Sequence, residues 1–268
     1  MTISKLINQA QIDKKDARYI LMSVLEIDQT AIFANPDKIV EPQKVELFCK
    51  MVEQLKQNTP LEYIISRSFF MGLDFFVNKN VLIPRYETEL LAQQAIEYIK
   101  ATNAKTVLDM CTGSGCVLVS LLYYTSIIGV GADISKKALN IAKKNAAQNN
   151  VSNRARFVLS DMFENITEKF DIIISNPPYI PTEHIRLLQK SVGDHEPHIA
   201  LDGGVDGLAF YRTIAKKALT HLNSGGVVFL EIGYDQGLAV KDIFVKAGYN
   251  VVIKKDYAGF DRIVIGCL

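Results

Sequence analysis

The sequence predicts an α/β protein, a largely parallel sheet interleaved with helices and finished by two antiparallel strands, behind a small all-α domain. Three observations carry this. Apolar residues recur three and four apart over the first ~70 residues, as on the inner face of short helices. From residue 106 onward, short β-branched runs alternate with helical stretches, the spacing of parallel strands joined by right-handed crossovers. The last two runs, NVVIKKD (250–256) and DRIVIGCL (261–268), are separated only by YAGF, too little chain for a parallel crossover, so they must pair antiparallel.

In chain order, Ile3, Leu6 and Ile7 predict a first helix, and Ala17, Ile20, Leu21, Val24 and Leu25 a second. Pro42 suits the first turn of a third, running through Val45, Phe48, Val52 and Leu55. Charges over this region cancel, as on a solvated bundle surface. From Phe69 the pattern turns aromatic and β-branched around Gly72 and Asn78–Asn80 and ends in Val81-Leu82-Ile83-Pro84, which predicts a hairpin linker. A helix through Leu90, Ile96 and Ile99 follows. The strands are then TVLDM (106–110), IGVGADI (128–134), RFVLSD (156–161), DIIISN (171–176) and GGVVFLEIG (225–233), with helices from Gly115, over 136–149 and over 235–247. The Glu196-Pro197 and Asp202-Gly203-Gly204 segment after DIIISN reads as long and loop-like, a wall over a substrate.

Composition bounds the function. At 268 residues the chain has room for a large domain and a small one. Formal net charge is +1, without the strongly basic face that nucleic-acid binders carry. No apolar run reaches the ~20 residues that span a bilayer, and the first residues lack a signal-peptide pattern, so a cytoplasmic protein is expected. Cys49, Cys111, Cys116 and Cys267 form no C-x-x-C and are expected as reduced, mostly buried thiols. His184, His195, His198 and His221 show no helical i, i+4 pair, so no metal site is expected.

Two segments carry chemistry. Asp109-Met110-Cys111-Thr112-Gly113-Ser114-Gly115 joins the first parallel strand to a helix, where glycines let backbone approach a ligand at a topological switch point. A dinucleotide fingerprint wants a third glycine where Leu118 stands, which disfavours NAD. Asp133, about 20 residues on, can accept from ribose hydroxyls. With Asp109 and Asp161 it puts three acids at strand ends, a field that suits the cationic S-adenosyl-L-methionine better than a polyphosphate. The second segment, Ser175-Asn176-Pro177-Pro178-Tyr179, is a turn made rigid by consecutive prolines. Its Asn176 side chain and Pro177 carbonyl are two acceptors able to grip a planar NH2 group, while Tyr179 covers it.

On these residues the chain resembles the HemK/PrmC family of release-factor glutamine N5-methyltransferases. The resemblance spans PLEYI (60–64), GLDFFVNKNVLIPRYETELL (72–91), VLDMCTGSGCVL (107–118), SDMF (160–163), SNPPYIP (175–181), HEPHIALDGGVDGLAFYR (195–212) and LEIGYDQ (230–236). It implies a class I S-adenosylmethionine-dependent methyltransferase with a Rossmann-like sheet, divided into a helical substrate-docking domain (1–71), a hairpin linker (72–85) and a methyltransferase domain (86–268). It implies cofactor binding by Cys111, Thr112, Gly113, Ser114, Gly115, Asp133, Asp161, Met162 and Asn176. Substrate binding falls to Asn176, Pro177, Pro178 and Tyr179, with Asn176, Pro177 and Tyr179 catalytic. The partner implied is a peptide chain release factor, methylated in its Gly-Gly-Gln motif by a monomer that contacts neither nucleic acid nor membrane. Three positions depart from the family pattern: Cys111 stands for glycine, Tyr86 for proline, and Met162 for a residue that is often aromatic. The rival readings are a methyltransferase of a ribosomal-protein glutamine, a nucleic-acid amino methyltransferase and a non-enzymatic nucleotide-binding module. The neutral helical domain argues against the nucleic-acid reading, and the intact NPPY tetrad against the last.

Overall fold

A computed structural model describes residues Met1 to Leu268, which form two compact units. One is Met1–Arg67 with Gln189–His195, the other Ser68–Leu188 with Glu196–Leu268. No helix is long and apolar enough to cross a membrane.

The first unit holds α1 (Ile3–Gln9), α2 (Lys14–Leu25), α3 (Gln29–Ala34), α4 (Pro42–Lys56) and α5 (Leu61–Ile65). Short polar side chains start the first three: Thr2, Asp13 and Asp28 each accept from a first-turn amide, satisfying donors that have no intrahelical partner. Pro42 opens α4. Ile3, Leu6, Ile20, Leu21, Phe48 and Val52 close a common core. The three helices read from periodicity are present; α3 and α5 span too few turns for a period to register.

The second unit begins earlier than the sequence suggested. Strands β1 (Ser68–Phe70) and β2 (Leu73–Phe75) pair antiparallel. Phe70 and Phe75 are fully buried in this unit's core and meet edge to face at 6.1 Å. The hairpin therefore precedes most of the expected linker, and the division falls at Arg67/Ser68 instead of after residue 71. Then come α6 (Tyr86–Thr102), β3 (Thr106–Met110), α7 (Cys116–Tyr124), β4 (Ile128–Asp133), α8 (Lys136–Gln148), β5 (Ala155–Leu159) and β6 (Phe170–Ser175). After one short helix in the first unit, α9 (Lys190–Gly193), the chain forms α10 (Ala209–His221), β7 (Leu222–Glu231), α11 (Gly237–Lys246), β8 (Asn250–Lys255) and β9 (Asp261–Cys267).

The sheet order is β5-β4-β3-β6-β7-β9-β8, parallel from β5 to β7, with β9 antiparallel to both β7 and β8. The chain winds outward from β3 in one direction and from β6 in the other, so a crevice opens at their carboxyl ends. One element was not anticipated and one expectation is corrected. The region after NPPY contains a 13-residue helix, α10, whose buried Tyr211, Ile214, Ala215 and Ala218 show the helical period that the glycine-rich run before it masked. Cys49 and Cys267 are exposed, so half of the thiols expected inside are at the surface.

Asn145 of α8 ties the amino-terminal part of this unit to the sheet. Fully buried, it donates from Nδ2 to the carbonyls of Phe76 (3.0 Å) and Ser114 (2.8 Å), and its Oδ1 accepts from the Phe76 amide (2.8 Å). Asn145→Ala leaves these backbone groups without a partner away from water; we expect about 2–4 kcal/mol lower unfolding free energy, read by denaturant titration.

Candidate active site

The crevice holds a cavity of about 320 Å³. Strand ends supply most of its lining. Cys111–Ser114 follow β3, Asp133–Ser135 end β4, Ser160–Met162 follow β5, and Asn176 and Pro178 follow β6. Arg85 and Thr88 come from the start of α6, and Pro197, Ile199 and Ala200 from the loop beyond the NPPY turn.

The three acids expected at strand ends all line the cavity, each held differently. Asp109 is buried and accepts from the Thr112 hydroxyl (2.6 Å) and the Leu118 amide (3.3 Å). Burial pushes its carboxyl up to about 7, against the pull of those two hydrogen bonds. Asp133 is also raised by burial; its oxygens accept from the Gly113 amide (2.9 Å) and the Ser135 amide (2.8 Å). It thus fixes the glycine turn while keeping lone pairs for a ligand. Asp161 lies two residues beyond β5 and is exposed.

The NPPY turn is fixed at both sides. Ser175 Oγ donates to the Met110 carbonyl at 2.6 Å, binding the ends of β6 and β3 together. Asn176 Nδ2 donates to the buried Thr88 hydroxyl at 3.1 Å. Pro177 is buried, and the Tyr179 phenol is raised above its ordinary value by burial, so it stays neutral. Of the expected site residues, Cys111, Thr112, Gly113, Ser114, Asp133, Asp161, Met162, Asn176 and Pro178 line the cavity together. Gly115, Pro177 and Tyr179 belong to the same two turns without being among the lining residues, Gly115 as the residue that caps α7.

Two groups escaped the sequence reading. Gln236 is buried; its Oε1 accepts from the Gly233 amide (2.9 Å), and its Nε2 donates to the Tyr179 carbonyl (2.9 Å) and the Gly207 carbonyl (3.3 Å). Thr88 looked like one more polar residue in a helical run. No local pattern marks either, because each acquires its partner from a segment far along the chain.

The amino-terminal residues 2–65 match the PrmC N-terminal domain family, and residues 87–195 the methyltransferase small domain family. Among curated proteins, the release factor glutamine methyltransferase of Thermodesulfovibrio yellowstonii is 37% identical over 98% of this chain and 95% of its own length. The chain belongs to the release factor glutamine methyltransferase family. The enzyme of that name from Clostridium botulinum is 40% identical over 93% of this chain and 90% of its own. At the level of fold alone, the solved ribosomal protein L11 methylase of Lactobacillus delbrueckii superposes with a TM-score of 0.51. It is 20% identical, over 68% of this chain and 79% of that one.

The departures from the family pattern have local consequences in this family member. Cys111, standing for glycine, has φ +61°, a conformation that glycine adopts more cheaply. Met162, also at positive φ, lines the cavity, and Tyr86 is the exposed first residue of α6. The DGGVDG segment runs beside the NPPY turn, with the Ile180 amide donating to the Leu201 carbonyl (3.0 Å) and the Gly203 amide to the Ile180 carbonyl (2.8 Å). Two of its glycines are needed for close approach. A Cβ on Gly203 would meet the Tyr179 backbone at 2.7 Å, and one on Gly207, at φ +72°, the Tyr179 carbonyl oxygen at 2.3 Å. The glycine part of the expected wall therefore braces the tetrad's backbone, while Pro197 lines the cavity. Gly207→Ala forces that contact apart and breaks the Gln236 bridge; we expect a loss of about 2 kcal/mol or more in stability, with lowered methyl transfer, from a thermal melt and an activity assay on one preparation.

Proposed function

We propose that this chain transfers the methyl group of S-adenosyl-L-methionine to the side-chain amide nitrogen (N5) of the glutamine in the Gly-Gly-Gln motif of peptide chain release factors. The observation that carries this reading is the anchored Asn176 amide. Its nitrogen donates to Thr88, and Asn176 lines the cavity together with the acidic strand ends, which leaves Oδ1 to accept from a target amide.

The residues present fit the methyl donor. Asp109, Asp133 and Asp161 face the cavity, and its one basic lining residue, Arg85, is already paired with Glu196 at 2.5 Å, so the field favours a cation. Asp133 would hold the ribose hydroxyls, the 111–115 turn the methionine end, and Asp161 with Met162 the adenine side. When bound, S-adenosylmethionine supplies an electrophilic methyl group. The chain's own residues do the rest. Asn176 Oδ1 and the Pro177 carbonyl accept the two N–H groups of the target amide, aim its nitrogen, and stabilise the positive charge that grows on it. Pro178 keeps the turn from relaxing, and the neutral Tyr179 packs over the planar amide and excludes water. No strong general base is required, because the nitrogen's proton becomes acidic on alkylation.

Mass spectrometry of a purified release factor after incubation with the full chain and donor tests this directly; a methyl group on the Gly-Gly-Gln glutamine is expected, and methylation only of a ribosomal protein points to the sister activity. Asn176→Ala should lower turnover about 10²–10³-fold with little change in cofactor affinity. Asp133→Ala should instead weaken cofactor binding by about 1–3 kcal/mol in calorimetry.

The helical unit, Met1–Arg67, is proposed to dock the body of the release factor. Its exposed apolar side chains Phe33 and Ile39 are candidates for that contact. Aspartate at both positions should raise KM for the intact factor several-fold and leave KM for a short Gly-Gly-Gln peptide unchanged; equal KM values for wild type and variant on the intact factor would remove these residues from docking.

A further inference from the structure

We propose that Glu231 is a positioning residue of the transfer reaction: as a carboxylate it holds the Asn176 amide, directly and through the Thr88 hydroxyl, in the orientation that presents Oδ1 to the target nitrogen. This rests on the function proposed above.

The placement is set by strand register. Ser175 lies opposite Leu230 in the parallel β6/β7 ladder, so Asn176 and Glu231 leave neighbouring strands at the same level. Thr88, in the first turn of α6, and Glu231 are both almost completely buried. Asn176 Nδ2 donates to Thr88 Oγ1 at 3.1 Å, and both Thr88 and Asn176 act on the Glu231 carboxyl, favouring its charged form. In the proposed arrangement the Thr88 hydroxyl, already accepting from Asn176, gives its single proton to Glu231, and the second N–H of Asn176 goes to the same carboxyl. Both donors of the amide are then spent behind the turn, and the side chain offers its oxygen in front.

Glu231 has more capacity than a structural contact needs. Its Oε2 has no hydrogen-bond partner. A buried polar group left in that condition is unusual and calls for a reason. A negative charge placed behind Asn176 provides one, because it polarises the amide and makes Oδ1 a better partner for the positive charge that grows on the substrate nitrogen. The ionisable groups around it are Arg262 on β9, Glu87 on α6, Tyr179 in the turn, Tyr211 on α10 and Cys116 on α7. Tyr211 also donates its hydroxyl to the Glu231 backbone carbonyl at 2.9 Å. Burial pushes the Glu231 carboxyl up to about 7; Thr88, Arg262 and Asn176 pull against that and Glu87 adds to it. The active form is the ionised one, so turnover at saturating cofactor should fall as pH drops through about 7.

Glu231→Gln keeps the shape and one acceptor and deletes the charge. We expect at least a tenfold loss of kcat at pH 8, disappearance of the acid limb from the pH profile, and cofactor affinity within twofold of wild type. Thr88→Val, which removes the relay hydroxyl, should lower kcat with the same indifference of cofactor affinity, and it stands in if the Gln variant is insoluble. A second readout needs no substrate: in the full chain labelled with nitrogen-15, the Asn176 side-chain NH2 should exchange at least tenfold faster in either variant than in wild type. Turnover within threefold of wild type, an acid limb that persists in Glu231→Gln, or unchanged exchange of that NH2 overturns the proposal. A wild-type enzyme with a protected Asn176 amide that transfers nothing to a release factor refutes the functional reading and leaves the positioning supported.

Discussion

Everything in the catalytic unit depends on the pairing of β3 with β6. Met110 and Ser175 sit side by side at the ends of the two strands, locked by a 2.6 Å hydrogen bond from the Ser175 hydroxyl to the Met110 carbonyl. The chain leaves these strands in opposite directions, so the turns that follow them diverge and the crevice between them has no crossing segment to fill it. One turn carries flexible glycine backbone and the other rigid proline backbone. Their separation is a property of the ladder, and loop sequence alone would not maintain it.

Buried polar side chains transmit that geometry. Asn145 joins the strand region after the hairpin to the glycine turn, and Gln236 joins the end of β7 to the NPPY turn and the glycine segment beside it. Each spends three hydrogen bonds on backbone groups that would otherwise be orphaned. Asp109 and Glu231 differ. Both are carboxyls pushed up to about 7 by burial, Asp109 in the crevice lining and Glu231 at the end of β7, a cost that packing alone would not require. Saturated amides build the frame, while the incompletely compensated acids sit where a cationic ligand or a charge-developing nitrogen would repay them.

The glycines of the DGGVDG segment show how one sequence feature can suggest the right neighbourhood and the wrong role. Their run reads as a wall over the substrate. In the fold Gly203 and Gly207 lie against the Tyr179 backbone, where any side chain would collide with a peptide carbon or a carbonyl oxygen. They are small because something rigid stands close behind them, and that neighbour is invisible from local sequence.

Local chemistry did determine much of this protein. The alternation from Thr106 to Glu231 specified the parallel strands, because β-branched runs and amphipathic stretches of those lengths have few other ways to bury their apolar faces. The short YAGF turn forced the antiparallel ending. The glycine and proline turns were legible because restricted or relaxed φ is a property of the residue itself. Where a property depended on distant partners, sequence ran out. The hairpin at Ser68–Phe75 belongs to the second unit because Phe70 and Phe75 find their core there, and α10 follows a glycine run that concealed its start. Thr88 and Gln236 are unremarkable until folding brings Asn176 and Tyr179 to them across 88 and 57 residues. Residue type decided which atoms could accept or donate; only the tertiary structure decided which of those capacities were already spent, because a hydrogen bond between segments far apart in sequence exists only after the sheet has set their distance.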